Sequence, residues 1–379
     1  MLLSGIFSPI TTPFNPDGKV YFKKLESNVE RYSRTPVAGI VALGSTGEAI
    51  MLSDQERSDA LRVVRETAAP NKVLIAGAGV ESALETLRST EYAAELGYDV
   101  AMVRTPHYYK KQMQAANILA FYRTVADRSP LPVIIYNFPQ ATGYDIPAEV
   151  VIELAEHPNL IGIKESSGDV EKVRLMVEGT RHIKRSATVT ETFDAVTPRM
   201  LAAASAGAAA ESRELVPVGM LSGSAETSSR LATQRDMGHP GSADSSLVKS
   251  SSSAVTVVGK MKTRQKEVGF QIMVGAAQKL QPSLDAGAVG AILAFACPAP
   301  TACYEIYAAW KEGDTELARE KQERIAKAAQ RVVGDLGVPG VKHGMDFNGY
   351  YGGPSRLPFL PLTADLKAEI ESMLADVRN

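Results

Sequence analysis

The sequence predicts an α/β chain folded as a (β/α)8 TIM barrel. Three observations carry that prediction: eight short apolar segments recur along the chain, amphipathic stretches separate them, and no GxGxxG turn opens a helix. Strands that are apolar throughout, rather than alternating, are those buried on both faces of a parallel sheet. The missing glycine turn disfavours the main competitor, an open doubly wound sheet. With 379 residues, 45% hydrophobic and 22% charged, the chain has enough apolar material for a large core.

In order, the strands read as "GIFSPITTPF" (5–14), "VAGIVALG" (37–44), "KVLIAGAG" (72–79), "DVAMVRTP" (99–106), "PVIIYNFP" (132–139) and "LIGIKESS" (160–167), followed late in the chain by "FQIMVG" (270–275) and "AVGAILAF" (288–295). Stretches such as "SDQERSDALRVVRETA" (53–68) and "SALETLRSTEYAAELG" (82–97) place apolar residues at helical spacing between them. Helical patterns over 299–312, 314–334 and 363–377 follow the eighth strand. The expected organisation is a catalytic barrel over 1–312 and a C-terminal helical extension over 313–379.

One stretch breaks this rhythm. Residues 182–265 are rich in Ala and Ser ("LAAASAGAAAESRELV", "GSADSSLVKSSSSAV"), and Phe193 is their only aromatic residue. Such composition has little apolar surface to bury against its ordering entropy. We expect a long low-complexity insertion, mostly flexible or weakly helical, between the sixth barrel helix and the seventh barrel strand. An αβ connection opens on the N-terminal face of a barrel, opposite the reaction site, so no part in the chemistry is expected of it.

A net charge of −2 argues against a nucleic-acid surface and gives no basic face for a membrane. No apolar run reaches the length of a membrane span. The start "MLLSGIFSPITTPF" lacks a basic region and a long apolar stretch, which argues against a signal peptide. Two cysteines, Cys297 and Cys303, do not suggest a disulfide framework. The expectation is a cytoplasmic protein. His107, His157, His182, His239 and His343 are scattered without HxH or HExxH spacing, so no metal site is predicted.

Residues at the C-terminal ends of barrel strands face the reaction site. Lys164 stands there on the sixth strand, in "PNLIGIKESSGD". It either pairs with a carboxylate such as Glu165 or Asp169, or acts as an amine nucleophile in the desolvated mouth of the barrel. Tyr136 ends the neighbouring fifth strand, about 4.8 Å away at the strand spacing, and suits proton transfer near reacting carbons. "GSTGE" (44–48) closes the second strand and either holds a carboxylate or forms a helix capping box, Ser45-x-x-Glu48. "TPHYYKK" (105–111), after the fourth strand, offers Tyr108 and Tyr109.

"GSTGE", "TPHYY", "YNFPQATG" and "GIKESSGD", in this order and spacing, resemble the dihydrodipicolinate synthase/N-acetylneuraminate lyase family of class I pyruvate-dependent aldolases. The likeness covers nearly the whole chain outside the insertion. Within the family, "GVPGVKHGMDFNGYYGGPSRLP" (337–358), "HYYKKQM" and "VADRSPLPVIIYNFPQATG" most resemble the 4-hydroxy-2-oxoglutarate aldolases. The resemblance implies that Lys164 forms a Schiff base with pyruvate or a 2-oxo acid and that Tyr136 shuttles the proton. It implies that Ser45 and Thr46 bind the carboxylate, with Ser45 also a possible relay. Tyr108 would be lent across a tight dimer interface, and Gly275 and Ile292 would line the pyruvate pocket through their backbone. No cofactor is implied beyond the lysine–pyruvate imine. The implied partners are pyruvate, an aldehyde and further copies of the chain, as a dimer or a tetramer built as a dimer of dimers.

One departure bears on the substrate. Where the synthases carry arginine in a YNxPxRTG pattern, this chain has Ala141, and a methyl group cannot replace a bidentate guanidinium–carboxylate contact. The expected reaction is therefore cleavage of 4-hydroxy-2-oxoglutarate, or a related 2-keto-3-deoxy acid, to pyruvate and an aldehyde. The alternatives are 4-hydroxy-tetrahydrodipicolinate synthase, a sugar-acid dehydratase of the same family, and a non-catalytic 2-oxo-acid-binding regulatory protein.

Overall fold

A computed structural model describes residues 1–214, 255–258 and 261–377. Among them, the strands in chain order are β1 (Gly5–Pro9), β2 (Gly39–Ala42), β3 (Val73–Gly77), β4 (Val100–Arg104), β5 (Val133–Asn137), β6 (Leu160–Glu165), β7 (Arg185–Thr190), β8 (Thr256–Val258), β9 (Met261–Val268), β10 (Gln271–Val274) and β11 (Gly290–Ile292). All but β7, β8 and β9 form one closed barrel of parallel strands, sealed where β1 pairs with both β2 and β11. Every predicted barrel strand is present.

Two apolar layers follow from the two-residue period of a strand. One set of side chains, including Phe7, Val41, Ile75, Met102, Ile134 and Met273, fills the barrel lumen. The alternate set, including Ile6, Ile40, Leu74, Val103, Ile135 and Ile163, packs outward against the helices. Those helices are α1 (Phe22–Ser33), α2 (Asp54–Thr67), α3 (Ala83–Leu96), α4 (Ala115–Arg128), the single turn α5 (Pro139–Thr142), α6 (Ala148–Ala155) and α7 (Val170–Gly179). Later come α8 (Pro198–Glu214), α9 (Leu280–Asp285) and α10 (Pro300–Lys311). Helix α2 starts where its sequence says it should: Ser53 accepts from Glu56 N at 3.2 Å and Glu56 reaches back to Ser53 N at 3.0 Å, a reciprocal cap.

The described parts of 182–265 differ from the expected flexible insertion. Strands β7, β9 and β8, in that order, form an antiparallel sheet, with Arg185 opposite Val268 and Thr190 opposite Thr263. The alternation in "RSATVT" explains it: Ala187 and Val189 are buried together with Leu2, and β-branched residues suit a half-buried pleated surface. The sheet also runs past the expected boundary at 265. Its anchors lie on the N-terminal face of the barrel, as expected. Arg185 donates to the carbonyls of Leu160, Ala155 and His157 beneath β6. Arg199, on α8, donates to Ala68 O and Lys72 O, just before β3. Residues 215–254 and 259–260 of the expected insertion lie outside the described residues.

The extension holds one helix more than the sequence pattern suggested. Helix α11 (Thr315–Ala329) runs into a π-helical segment, Gln330–Asp335, and the chain turns at Gly337 (φ 63°) into α12 (Gly337–Phe347) before α13 (Ala364–Leu374). The proline and two glycines in "GVPG" hide α12 from a propensity reading. This helix carries Lys342 into the mouth of the barrel, where its ammonium pairs with Glu48 at 2.5 Å and both side chains are essentially inaccessible to solvent. Burial lowers the Lys342 pKa, with Glu48 opposing. No described helix is long and apolar enough to cross a membrane.

Removing one partner of a buried pair strands the other charge, at a cost of about 3–5 kcal/mol. Lys342→Met should therefore lower stability by that amount in urea denaturation. The double variant Glu48→Gln/Lys342→Met should recover at least half of the loss. A single-variant loss under about 1 kcal/mol would show that the pair does not hold the extension to the barrel.

Candidate active site

The site follows from strand register. Arg104 on β4 pairs with Tyr136 on β5, Tyr136 pairs with Lys164 on β6, and Lys164 pairs with Met273 on β10. Side chains at one register level of a barrel point the same way. Tyr136 and Met273 belong to the lumen cluster, so Arg104, Tyr136 and Lys164 form a row of inward-facing groups at the top of three adjacent strands.

Lys164 is 5% exposed, and its Nζ lies 4.1 Å from the centroid of the Tyr136 ring, within the range of a cation–π contact. Among the described residues no carboxylate pairs with it. The two candidates read from sequence are engaged elsewhere. Glu165 faces outward, accepts from Asn137 Nδ2 and Ser167 N, and pairs with Lys172 at 3.1 Å. Asp169 caps α7 through the N–H groups of Glu171 and Lys172. The alternation of the strand sorts these groups: the carboxylates lie outside and the amine lies in the lumen. Cys297 is close enough to sense the lysine. Burial pushes its thiol up to about 12, and the Lys164 charge pulls the other way.

The Tyr136 hydroxyl shares a hydrogen bond with Ser45 Oγ at 3.2 Å. Phe138 stacks on the Tyr136 ring, 5.9 Å between centroids and 9° from parallel. Ser45 and Thr46 lie in a 3-10 turn after β2, flanked by Leu43 (φ 59°) and Glu48 (φ 54°), both in the left-handed region. Such conformations cost on the order of 1–3 kcal/mol in non-glycine residues and persist only where the surroundings enforce them. At Glu48 the enforcement comes from its own carboxylate, held by Lys342 and by the Arg356 N–H at 2.9 Å. That arrangement overturns the capping-box reading of Ser45-x-x-Glu48: the glutamate points to the extension, and no side chain caps the turn.

Lys164, Tyr136, Ser45, Thr46, Gly275 and Ile292 all line one cavity of about 640 Å³. Ala141 lines it too, on α5, and α12 contributes Val338 and Val341. Gly275 has a steric reason to be glycine: a Cβ there would sit 2.0 Å from Ser166 Oγ. Tyr108 is the predicted residue that lies apart. It is 74% exposed and packs edge-on against Tyr109, 5.2 Å between centroids. A second cavity, of about 620 Å³, is lined by residues of α2 and α3, and Ser45, Ile50, Arg104 and Tyr136 line both.

Sequence reading missed Arg104. The signal was available, because "DVAMVRTP" places a charged residue at the C-terminal end of a buried strand, the pattern that singled out Lys164. Arg104 lines both cavities, its Nη2 lies 3.3 Å from Oε1 of Glu81, a residue of the second cavity, and its Nε is buried without a partner among the described residues. Burial lowers its pKa, with Glu81 opposing. His107 lines the same cavity, and burial, then the Arg104 charge, lower its pKa.

Comparison with known proteins bears on the family and the fold. A 4-hydroxy-tetrahydrodipicolinate synthase from Xanthomonas campestris pv. campestris is 40% identical over 177 residues, 47% of this chain and 58% of that protein. One from Exiguobacterium sp. is 36% identical over 188 residues, 50% of this chain and 62% of that protein. The chain thus spans about three fifths of the length of these curated relatives. Two crystal structures share the fold. One is chloride-inhibited dihydrodipicolinate synthase from Acinetobacter baumannii complexed with pyruvate (TM-score 0.72, 24% identity, 99% of each chain). The other is the prophage protein YagE from E. coli K12 in complex with pyruvate (TM-score 0.70, 22% identity, 100% of this chain and 99% of the other). The Dihydrodipicolinate synthetase family matches residues 2–228 and 246–377, so the chain belongs to that family, whose members are class I pyruvate-dependent carbon–carbon lyases.

Proposed function

We propose that the chain is a cofactor-independent class I aldolase that cleaves 4-hydroxy-2-oxoglutarate, or a related 2-keto-3-deoxy acid, to pyruvate and an aldehyde. The observation that carries the reading is a buried lysine that has no carboxylate partner among the described residues, lining a 640 Å³ cavity beside a tyrosine that is hydrogen-bonded to a serine. Pyruvate complexes of two proteins of the same fold support it.

Lys164 Nζ attacks the 2-oxo carbon, and water leaves as the imine forms. The Thr46 hydroxyl, with the Ser45 turn, holds the C1 carboxylate. Tyr136 takes the proton of the C4 hydroxyl and passes its own toward Ser45 along their hydrogen bond. The C3–C4 bond then breaks, its electrons flow to the protonated imine nitrogen, and the aldehyde departs. The enamine left on Lys164 is protonated at C3, and water hydrolyses the imine to release pyruvate and the free lysine. Each proton transfer of this kind contributes about 10²–10⁴-fold to the rate. Tyr108 completes the relay in a neighbouring copy, which makes the working unit an oligomer. Its exposure, and its place outside the lining of the chain's own cavity, suit that role.

The second reading is the condensing synthase, favoured by the names of the curated relatives. Ala141 weighs against it, because that position on the cavity wall offers only a methyl group.

Borohydride added in the presence of pyruvate should leave a reduced pyruvyl adduct on Lys164, read by intact mass and peptide mapping. No adduct on the folded protein would remove the aldolase reading. Tyr136→Phe should lower turnover of 4-hydroxy-2-oxoglutarate by about 10²–10⁴-fold, measured as pyruvate release, while still trapping pyruvate. Full turnover in that variant would refute the proton-shuttle role.

A further inference from the structure

We infer that Arg104 is the specificity-determining residue of the cavity and selects substrates whose hydroxyl-bearing carbon carries a carboxylate. This inference rests on the aldolase reading above and deepens it. The first support is order. Lys164, Tyr136 and Arg104 stand in one register row on β6, β5 and β4. A 4-hydroxy-2-oxo dicarboxylate presents its imine-forming carbon, its hydroxyl and its terminal carboxylate in the same sequence. The outer two residues are two strand spacings apart, about 10 Å between backbones. Two long side chains converging from that separation leave room for a short dicarboxylate.

The second support is the state of the guanidinium. Arg104 follows Val100 and Met102 of the lumen cluster at two-residue spacing, so its side chain enters the barrel. Only 15% of that side chain is exposed. Among the described residues its one hydrogen-bond partner is Glu81, through Nη2 at 3.3 Å, and its Nε has none. Glu81 is itself shared, since Oε2 accepts from the backbone N–H groups of His107 at 2.8 Å and Tyr108 at 3.0 Å. A buried donor left unmade costs about 1–3 kcal/mol, and a planar fork in that condition suits a bidentate carboxylate.

The third support is the absence of a rival. Among the described residues lining the cavity, the other basic side chains are Lys164, committed to the imine, and His107. His107 Nδ1 lies 2.6 Å from Glu81 Oε1 and, like Arg104 Nε, is buried without hydrogen-bond geometry to a partner, but a single ring nitrogen cannot make the two parallel contacts of a guanidinium fork. Arg104 is the cavity's one guanidinium among these residues.

The test runs in the condensation direction with pyruvate and three aldehydes: glyoxylate, acetaldehyde and aspartate semialdehyde. Arg104→Leu should raise the KM for glyoxylate and lower the glyoxylate-to-acetaldehyde ratio of kcat/KM by about 10–100-fold, the range for a charge-assisted hydrogen bond. Arg104→Lys, which keeps the charge without the fork, should recover part of that ratio. A purely structural role predicts equal losses for both aldehydes together with a lowered melting temperature, and that result would overturn the inference. So would a larger loss for aspartate semialdehyde, whose carboxylate stands further from the reacting carbon. So would a wild-type protein that traps pyruvate yet shows no preference for glyoxylate. Borohydride trapping of pyruvate on wild type and on Arg104→Leu separates the two levels. An adduct with unchanged aldehyde selectivity defeats the Arg104 role alone, whereas no adduct on wild type defeats the aldolase reading and this inference with it. Should Arg104→Leu fail to fold, Arg104→Lys and Arg104→Gln carry the same selectivity ratio.

Discussion

The site depends on the register of three parallel strands. Because side chains alternate, sliding β6 by one residue against β5 would turn Lys164 out and Glu165 in. The outer face guards against that slip. Glu165 is satisfied only where it is, by Asn137, by the Ser167 N–H and by Lys172. A carboxylate moved into the lumen would lose all three partners and face a cavity wall built mainly of apolar and neutral groups. The ladder between β5 and β6 carries one irregularity, between Val133 and Ile134, at its lower end. Above it the pairing runs straight to Tyr136 and Lys164. The polar network outside the barrel thus fixes which amine appears inside it.

Charge is sorted the same way elsewhere at the mouth. Glu48 and Lys342 are buried as a pair, and Arg356 ties the segment after α12 to Met51, to Glu56 and, through its N–H, to Glu48. The C-terminal extension is therefore bound to the turn that carries Ser45 and Thr46. One side of the cavity is barrel and the other is extension, so its shape is set only when both are in place. The left-handed backbone at Leu43 and Glu48 is the local cost of presenting two hydroxyls at the end of β2.

Much of this was legible in the residues. Continuous apolar runs marked each barrel strand, and polar groups at their ends marked Lys164, Tyr136 and Ser45. Besides helix α12, three things were not legible. The partner of Glu48 lies almost three hundred residues away, so a local pattern favoured the capping box. Strands β7 and β9 are rich in Thr and Lys and separated by a long Ala/Ser stretch, so composition hid a pairing that depends on burying Ala187 and Val189 against Leu2. Arg104 was passed over because one cation after a strand is common on a surface. Its meaning comes from standing opposite Tyr136, which is a property of register rather than of spacing along the chain.

The sheet beneath the barrel has a practical corollary. The chain leaves through β7 and returns through β9, neighbouring antiparallel strands that begin and end side by side, Arg185 against Val268. A ribbon of this kind brings departure and return points together before any further sequence is added, so the closure entropy of whatever it carries is borne by the ribbon and not by the catalytic ring. It is a ready splice point. Unrelated cargo, such as a reporter or a tethering module, can be mounted on this stem at the end of the barrel away from the cavity, which makes the scaffold a natural host for fusion in the middle of the chain.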